Sequence, residues 1–502
     1  MHHKCGENLE PWGDSREWPR RLIDVIAFKD SLDARLIDVT PETFPSRPKY
    51  TTLSYCWGHD KSSQSLYVTT LITLEACKQR ISYSTLPATI RDAVCITRGL
   101  GIQYLWVDAI CILQNSEEWQ LEAAKMASIY SSSYVTISAD SAVDTSVGCF
   151  NRESTGQFHQ LKDVIEVATN FGGGQTSYVY FHRDQSSLEP QEIDTGPLHR
   201  RAWTLQERIF SARILHYTGA QLIWECRHGL RTEDNIHHSS YASKTLVSKL
   251  AKLTAESSGH GRLLYLWYHD VIGDNYSGRK LTVPEDKLSA ISSLARFFHS
   301  RMPDKAAYLA GIWAHKIQDG LAWQRAGSAS RPSTYICPSW SWASIDTAVE
   351  WDVQMSSLLL NEGTIGIEEA FILPESEDHF GRISAGWLRV SGRLRVACIQ
   401  RPENGSLLGL RSDLVDLEGN RLGFAVLDDD ICSLDSLEFN CLRLIEQRRP
   451  HAKRCTVLLL QPSPSQPEAY ERRGVALIDE MKWLPDESSW FDECATQRIK
   501  II

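Results

Sequence analysis

Between Tyr50 and Ala139 the chain alternates short apolar runs with segments that are apolar only at helical spacing. YTTLSYCWG, Tyr50 to Gly58, is β-branched and aromatic and ends on glycine, as a buried strand running into a loop does. In the next segment Pro87 fits a first helical turn, Ile90, Ala93, Val94 and Leu100 recur at helical spacing, and Gly99 and Gly101 act as stop signals. YLWVDAICIL, Tyr104 to Leu113, is apolar except for Asp108, the pattern of an interior strand. EEWQLEAAKMASIY places Trp119, Ala123, Met126 and Tyr130 on one face of a single amphipathic helix, and YVTISA, Tyr134 to Ala139, is again strand-like. Strand, helix, strand, helix, strand predicts an α/β fold with a parallel sheet flanked by helices.

The flanking segments suggest a domain order. RLIDV occurs at Arg21 to Val25 and again at Arg35 to Val39 around a polar turn, which predicts a hairpin in an N-terminal lead over 1–45. The α/β domain spans 46–230, with a polar insertion at about 150–198 that holds one strand candidate, Tyr178 to His182. RRAWTLQERIFSAR, Arg200 to Arg213, reads as a helix, followed by the strands RILHYT and QLIWEC. A helical extension covers 231–335, where Leu288, Ile291, Leu294 and Phe298 mark a buried stripe. From PSWSWASI onward, 336–502 is β-rich.

Net charge is −10 without a basic block, which argues against nucleic acid or an anionic membrane as the main partner. No apolar stretch reaches the ~20 residues of a membrane span, and the start lacks a secretory core, so a cytoplasmic location is expected. Thirteen scattered cysteines without a CxxC pair predict reduced thiols and no metal site. Tryptophan is in excess: of sixteen, thirteen lie at or before Trp351. No GxGxxG fingerprint or P-loop is present.

YTTLSYCWG, YLWVDAICILQNSEEWQLEAAKMASIYSSSYVTISA and PLHRRAWTLQERIFSARILHYTGAQLIWEC, in this order and spacing, closely resemble the three blocks of the fungal heterokaryon-incompatibility (HET) domain. LTVPEDKLSAISSLA, YLAGIW and PSWSWAS resemble the helical extension and the Trp-rich strand that follow this domain in stand-alone fungal members. The resemblance implies a TIR-like fold and an effector of allorecognition and programmed cell death, an innate-immunity type of role. Some TIR-like relatives are NAD hydrolases, which makes NAD a possible substrate with no cofactor required.

The WTLQE string matches the Trp-x-x-x-Glu pattern that carries the catalytic glutamate of TIR-type NAD hydrolases. The resemblance therefore implies Glu207 as catalytic carboxylate and Trp203 as its neighbour one turn away; alternatively, Glu207 forms an ordinary ion pair with Arg201 or Arg208. Asp108, costly as an ion inside an apolar strand, is either a ligand contact at the site mouth or a partner of Arg201 or a cap. Ser54, Tyr55, Trp57 and Gly58 end the first strand, where Gly58 permits close backbone approach and Trp57 could stack on a ring or fill the core. These four residues, with Asp108, Arg201 and Trp203, form the candidate substrate-binding set. A cysteine hydrolase built from Cys111 with His199 or His216 and Asp108 lacks a supporting motif. Activity is expected to need self-association. The alternative is a noncatalytic signalling module that binds a regulatory protein partner through the insertion or the β-rich tail.

Overall fold

A parallel core does form from the alternating segments, and antiparallel strands extend it on both sides. A computed structural model describes residues 18–58, 67–116, 118–150, 164–171, 175–182, 192–226, 229–233, 237–238, 246–251, 253, 259–302, 304–351, 361–400, 411–430, 437–449, 452–479 and 489–502. The chain forms two units, Met1–Leu253 and Thr254–Ile502.

The first unit contains β1 (Arg21–Asp24), β2 (Arg35–Asp38), β3 (Tyr50–Ser54), β4 (Tyr104–Trp106), β5 (Val135–Ser138), a separate hairpin of β6 (Val164–Phe171) and β7 (Gln175–His182), then β8 (Arg213–Tyr217), β9 (Leu222–Cys226), β10 (Gly229–Thr232) and β11 (His237–His238). One nine-stranded sheet runs β11-β10-β9-β8-β5-β3-β4-β1-β2. Only β4-β3-β5-β8 are mutually parallel; all other pairings in it are antiparallel. The expected parallel sheet is thus a mixed one. The RLIDV repeats form the expected hairpin, with Leu22 opposite Ile37, and β1 also pairs with β4, so the hairpin extends the main sheet. The strand candidate at Tyr178 to His182 falls within β7, and most of the remaining 150–198 insertion lies outside the described residues.

The helices of this unit are α1 (Leu74–Gln79), α2 (Ala88–Gly99), α3 (Asp108–Cys111), α4 (Glu118–Ala124), α5 (Met126–Ser132), α6 (Glu192–Thr195), α7 (Trp203–Phe210) and α8 (Leu246–Ala251). Side-chain alternation along β3 sends neighbours to opposite faces. The Thr51 hydroxyl meets Thr97 of α2 at 2.7 Å, whereas the Tyr50 hydroxyl donates to the Ile129 carbonyl of α5 at 2.7 Å. Helix α2 therefore covers one face of the parallel core, and α5 covers the other. On that second face a hydroxyl ladder runs from Thr52 to Thr136 (2.8 Å), from Thr136 to Ser211 (2.6 Å) and from Ser211 to the Glu207 carbonyl (2.7 Å), placing α7 beside α5.

Two further expectations for this unit change. YLWVDAICIL is not one strand: extended backbone ends at Val107 and Asp108 opens the single turn α3, where its Oδ1 accepts the Ala109 N–H at 2.8 Å. A carboxylate would be costly inside the sheet, and a short apolar run suits a buried turn as well as a strand. The helix expected over EEWQLEAAKMASIY divides at Lys125, whose N–H bonds to the Glu122 carbonyl three residues back while its ammonium pairs with the buried Glu122 carboxylate at 2.8 Å.

The second unit begins with α9 (His260–Tyr265), which continues as a π-helical stretch over Leu266–Tyr276, followed by α10 (Ser289–Arg301) and α11 (Ile317–Leu321). The stripe Leu288, Ile291, Leu294 and Phe298 is fully buried, as its spacing predicts. Two short ribbons, β12 (Tyr308–Leu309) with β13 (Ile312–Trp313) and β14 (Gln324–Arg325) with β15 (Val349–Glu350), accompany the helices. PSWSWAS is a tight turn and not a strand. Ser341 Oγ accepts the Ala343 N–H, the Trp342 indole donates to the Gly311 carbonyl, and both Trp340 and Trp342 are fully buried.

The β-rich tail comprises β16 (Asn361–Gly363), β17 (Gly366–Pro374), β18 (Ile383–Gln400), β19 (Ser412–Val415), β20 (Arg421–Leu427), β21 (Glu438–Arg449), β22 (Ala452–Pro462), β23 (Ala469–Asp479) and β24 (Thr496–Ile501). The 18-residue β18 pairs with both β19 and β21, so β18-β19-β20-β23-β22-β21 closes on itself as an antiparallel barrel. Closure removes the two free edges that an open sheet of these six strands would have. Its core includes Leu414, Phe439, Val457, Leu459, Ile478 and Phe491. Arg472 of β23 is completely buried: it bonds Asp428 through Nε (2.9 Å) and Nη2 (3.2 Å), donates to the Leu321 and Trp323 carbonyls, and stacks on the Trp323 ring. Barrel and helical layer are thereby joined within this unit. Among the described residues no helix is long and apolar enough to cross a membrane, and no group of three or more His, Cys, Asp or Glu could hold a metal ion.

Candidate functional site

The chain enters the parallel core at β3, crosses to β4 on one side, then returns to β5 and β8 on the other. This reversal falls between β3 and β5, and open α/β sheets bind ligands outside the carboxyl ends of their strands at such a point. Ser54 ends β3 and lies opposite Ser138, the last residue of β5. Its hydroxyl donates to Oε2 of Glu207 from α7. Tyr130 of α5 donates its hydroxyl to the Leu53 carbonyl at 3.1 Å, on the same face.

The loop after β3 carries the rest of the site. Tyr55 and Trp57 stack with ring centroids 6.5 Å apart, and the Trp57 indole donates to Asp108 Oδ2 at 2.9 Å. Arg201, just before α7, donates to the Tyr55 carbonyl at 2.7 Å. Gly58 has φ +90°, and a Cβ there would sit 2.8 Å from Asp144 Cβ, so both backbone conformation and space demand glycine. The structure thus brings Ser54, Tyr55, Trp57, Gly58, Asp108, Arg201 and Glu207 to one sheet edge. Trp203 is placed differently: its ring packs edge-to-face on Trp119 at 5.7 Å.

Electrostatics distinguish the two acids. Burial is the main reason that the Glu207 carboxyl is pushed up to about 7; the Asp108 charge adds to this, while Ser54, Arg201 and Tyr130 oppose it. A carboxyl in that range exchanges its proton near neutral pH, as a general acid or base must. Burial also raises Asp108, against the Arg201 charge and its hydrogen bonds from Ala109, Tyr55 and Trp57. Asp108 thus sits in the first turn of α3, with Oδ1 accepting the Ala109 N–H and Oδ2 accepting the Trp57 indole N–H.

A neighbouring network had no motif to announce it. His216 of β8 is fully buried between Asp140, 3.0 Å from Nδ1, and Glu225 of β9, 2.9 Å from Nε2. Arg208, next to Glu207 on α7, donates to both Glu225 oxygens at 2.9 and 3.2 Å. Burial alone would depress His216, yet Asp140 and Glu225 outweigh it and hold the imidazole up to about 9. Burial alone would raise Glu225, but Arg208 and His216 hold it down to about 2. The available signal was phase: Ile214 and His216 on β8, and Ile223 and Glu225 on β9, occupy the buried positions of alternating strands. Cys111 does not join a histidine. Its thiol accepts the Val107 N–H at 3.5 Å, burial pushes it up to about 12, and His199 lies 3.9 Å from Asp194.

Residues 50–207 match the family model described as heterokaryon incompatibility protein (HET). The chain carries a HET domain. No curated protein and no solved structure matches the chain. The matched stretch starts on the first residue of β3 and ends on Glu207, so the HET domain contains every candidate site residue named from the sequence.

Proposed function

We propose that this HET protein is an effector of fungal allorecognition and programmed cell death that binds NAD-type nucleotides at the carboxyl edge of β3 and β5 and cleaves them. The observation that carries the reading is the Glu207 carboxyl held against Ser54 at the strand reversal, with its proton affinity raised to about 7. The order β4-β3-β5-β8 repeats the arrangement of doubly wound nucleotide-binding sheets and supports a TIR-like kinship. In this reading Trp57 and Tyr55 offer ring faces to a base, and Arg201 offers charge to a phosphate. Ionised Glu207 stabilises the oxocarbenium-like ribose as the glycosidic C–N bond breaks. Nicotinamide leaves with the bonding electron pair, and water adds to the ribose carbon and loses a proton. Self-association is the expected trigger, with NAD as substrate and no resident cofactor.

Two observations favour a second reading, a noncatalytic signalling module: Glu207 is only 6% exposed, and Trp57 is already bonded to Asp108. Expression in a fungus separates the two. The catalytic reading expects growth arrest and a fall in cellular NAD with the intact chain, both lost in Glu207→Gln. Arrest that persists in Glu207→Gln with NAD unchanged contradicts it and supports the module.

A further inference from the structure

Two neighbouring residues of α7 reach strands that are not neighbours. Glu207 meets Ser54 of β3, whereas Arg208 meets Glu225 of β9, and β5 and β8 lie between those strands in the sheet. From Glu225 the contacts continue to His216 on β8 and on to Asp140, two residues beyond β5. The circuit closes through the backbone, because the Ala139 N–H donates to the Ser54 carbonyl at 3.0 Å. Ser54, Glu207, Arg208, Glu225, His216, Asp140 and Ala139 thus form a ring of contacts through α7 and the carboxyl ends of β3 and β5. Turning α7 about its axis breaks the Ser54 and Glu225 contacts together.

Asp140, His216 and Glu225 are all buried, and Arg208 is nearly so. Well-packed apolar side chains at such positions often give equal or greater stability, so a buried ionic chain is weak evidence for stability. What it supplies beyond an apolar cluster is direction. The Arg208 fork meets both oxygens of one carboxylate, and the imidazole meets one carboxylate on each nitrogen, so α7 has one rotational setting that satisfies all of them.

We propose that Arg208, acting through Glu225, His216 and Asp140, is the positioning residue that holds α7 with the Glu207 carboxyl against Ser54. The proposal rests on reading Glu207 as the functional carboxyl of the HET domain.

The test uses the full chain and two readouts: kcat and KM for nicotinamide release from NAD, and the pH midpoint of the protonated-carboxyl infrared band that disappears in Glu207→Gln. In Arg208→Met, kcat falls about tenfold or more with KM within about twofold. The band midpoint falls by about one pH unit, as Glu207 leaves its buried position on Ser54. Arg208→Lys, which keeps the charge without the fork, recovers part of both changes. Arg80→Met, which deletes an exposed ion pair with Asp33, leaves both at wild-type values. Should Arg208→Met fail to fold, Glu225→Gln takes its place, since it keeps size and an accepting oxygen toward Arg208. An unchanged midpoint with unchanged kcat overturns the proposal. If the wild type releases no nicotinamide, the hydrolase reading fails on its own and the infrared midpoint still decides the positioning claim.

Discussion

Glu207 holds the account's central role at the cost of stability. Its carboxyl is pushed from 4.5 to about 7 mainly by burial, so the folded chain binds this proton more tightly than the unfolded chain does. Stability linked to Glu207 is therefore full below pH 4.5 and is lost as pH rises through 7. A neutral amide of the same shape avoids the loss. Glu207→Gln is expected to melt above wild type at pH 8, by up to about 3 kcal/mol, with the gap closing near pH 5. A variant that melts below wild type at both pH values would refute the burial argument. The tryptophans carry a different lesson at this scale. Their excess signals packing first: Trp106, Trp267, Trp313, Trp323, Trp340 and Trp342 are fully buried, whereas Trp57 donates to Asp108 at the candidate site.

At the level of elements, His216 and Glu207 both lose stability as pH rises, in windows that overlap near neutral pH. His216, held at about 9 against an ordinary 6.5, contributes stability that is full below 6.5 and lost as pH rises through 9. Glu225, held near 2 against 4.5, contributes stability that is full above 4.5 and lost as pH falls through 2. In Glu207→Gln the first unit is expected to keep a plateau between 4.5 and 6.5 and to lose stability only beyond it, as read by thermal melts across pH. A decline that starts at 4.5 in this variant would mean that another group dominates. Element boundaries were the less legible part of the sequence. The strands at Tyr50 and Val135 and helix α2 follow from residue type and spacing, because their apolar periodicity is unbroken. The run after Trp106 and the PSWSW segment form turns where their composition suggests strands, because turns made of apolar residues carry no periodicity and the acceptors Asp108 and Ser341 do not reveal their hydrogen bonds in sequence. The Asp140–His216–Glu225 chain was hidden for a related reason: it assembles from three separate strand ends, and no short motif spans them.

For the whole molecule, each unit has its own core and its own buried ionic hub. Arg472 serves the second unit as Arg208 serves the first. Arg472→Met leaves Asp428 buried without its closest cation and is expected to cost about 3–5 kcal/mol. Combined with Arg208→Met, the losses should add within about 0.5 kcal/mol in denaturant titrations that follow each unit; a larger deviation would mean that the hubs are coupled. The closed barrel of the second unit is not legible in the sequence, since strand content predicts a β-rich tail but the double pairing of β18 depends on contacts between residues far apart in sequence.

The most direct test of the central claim is the rate at which the purified full chain consumes NAD, compared with Glu207→Gln at the same series of protein concentrations. Wild-type turnover is expected to rise more steeply than protein concentration and to be lost in Glu207→Gln. Equal rates in the two proteins, or no turnover by the wild type at any concentration, would contradict it.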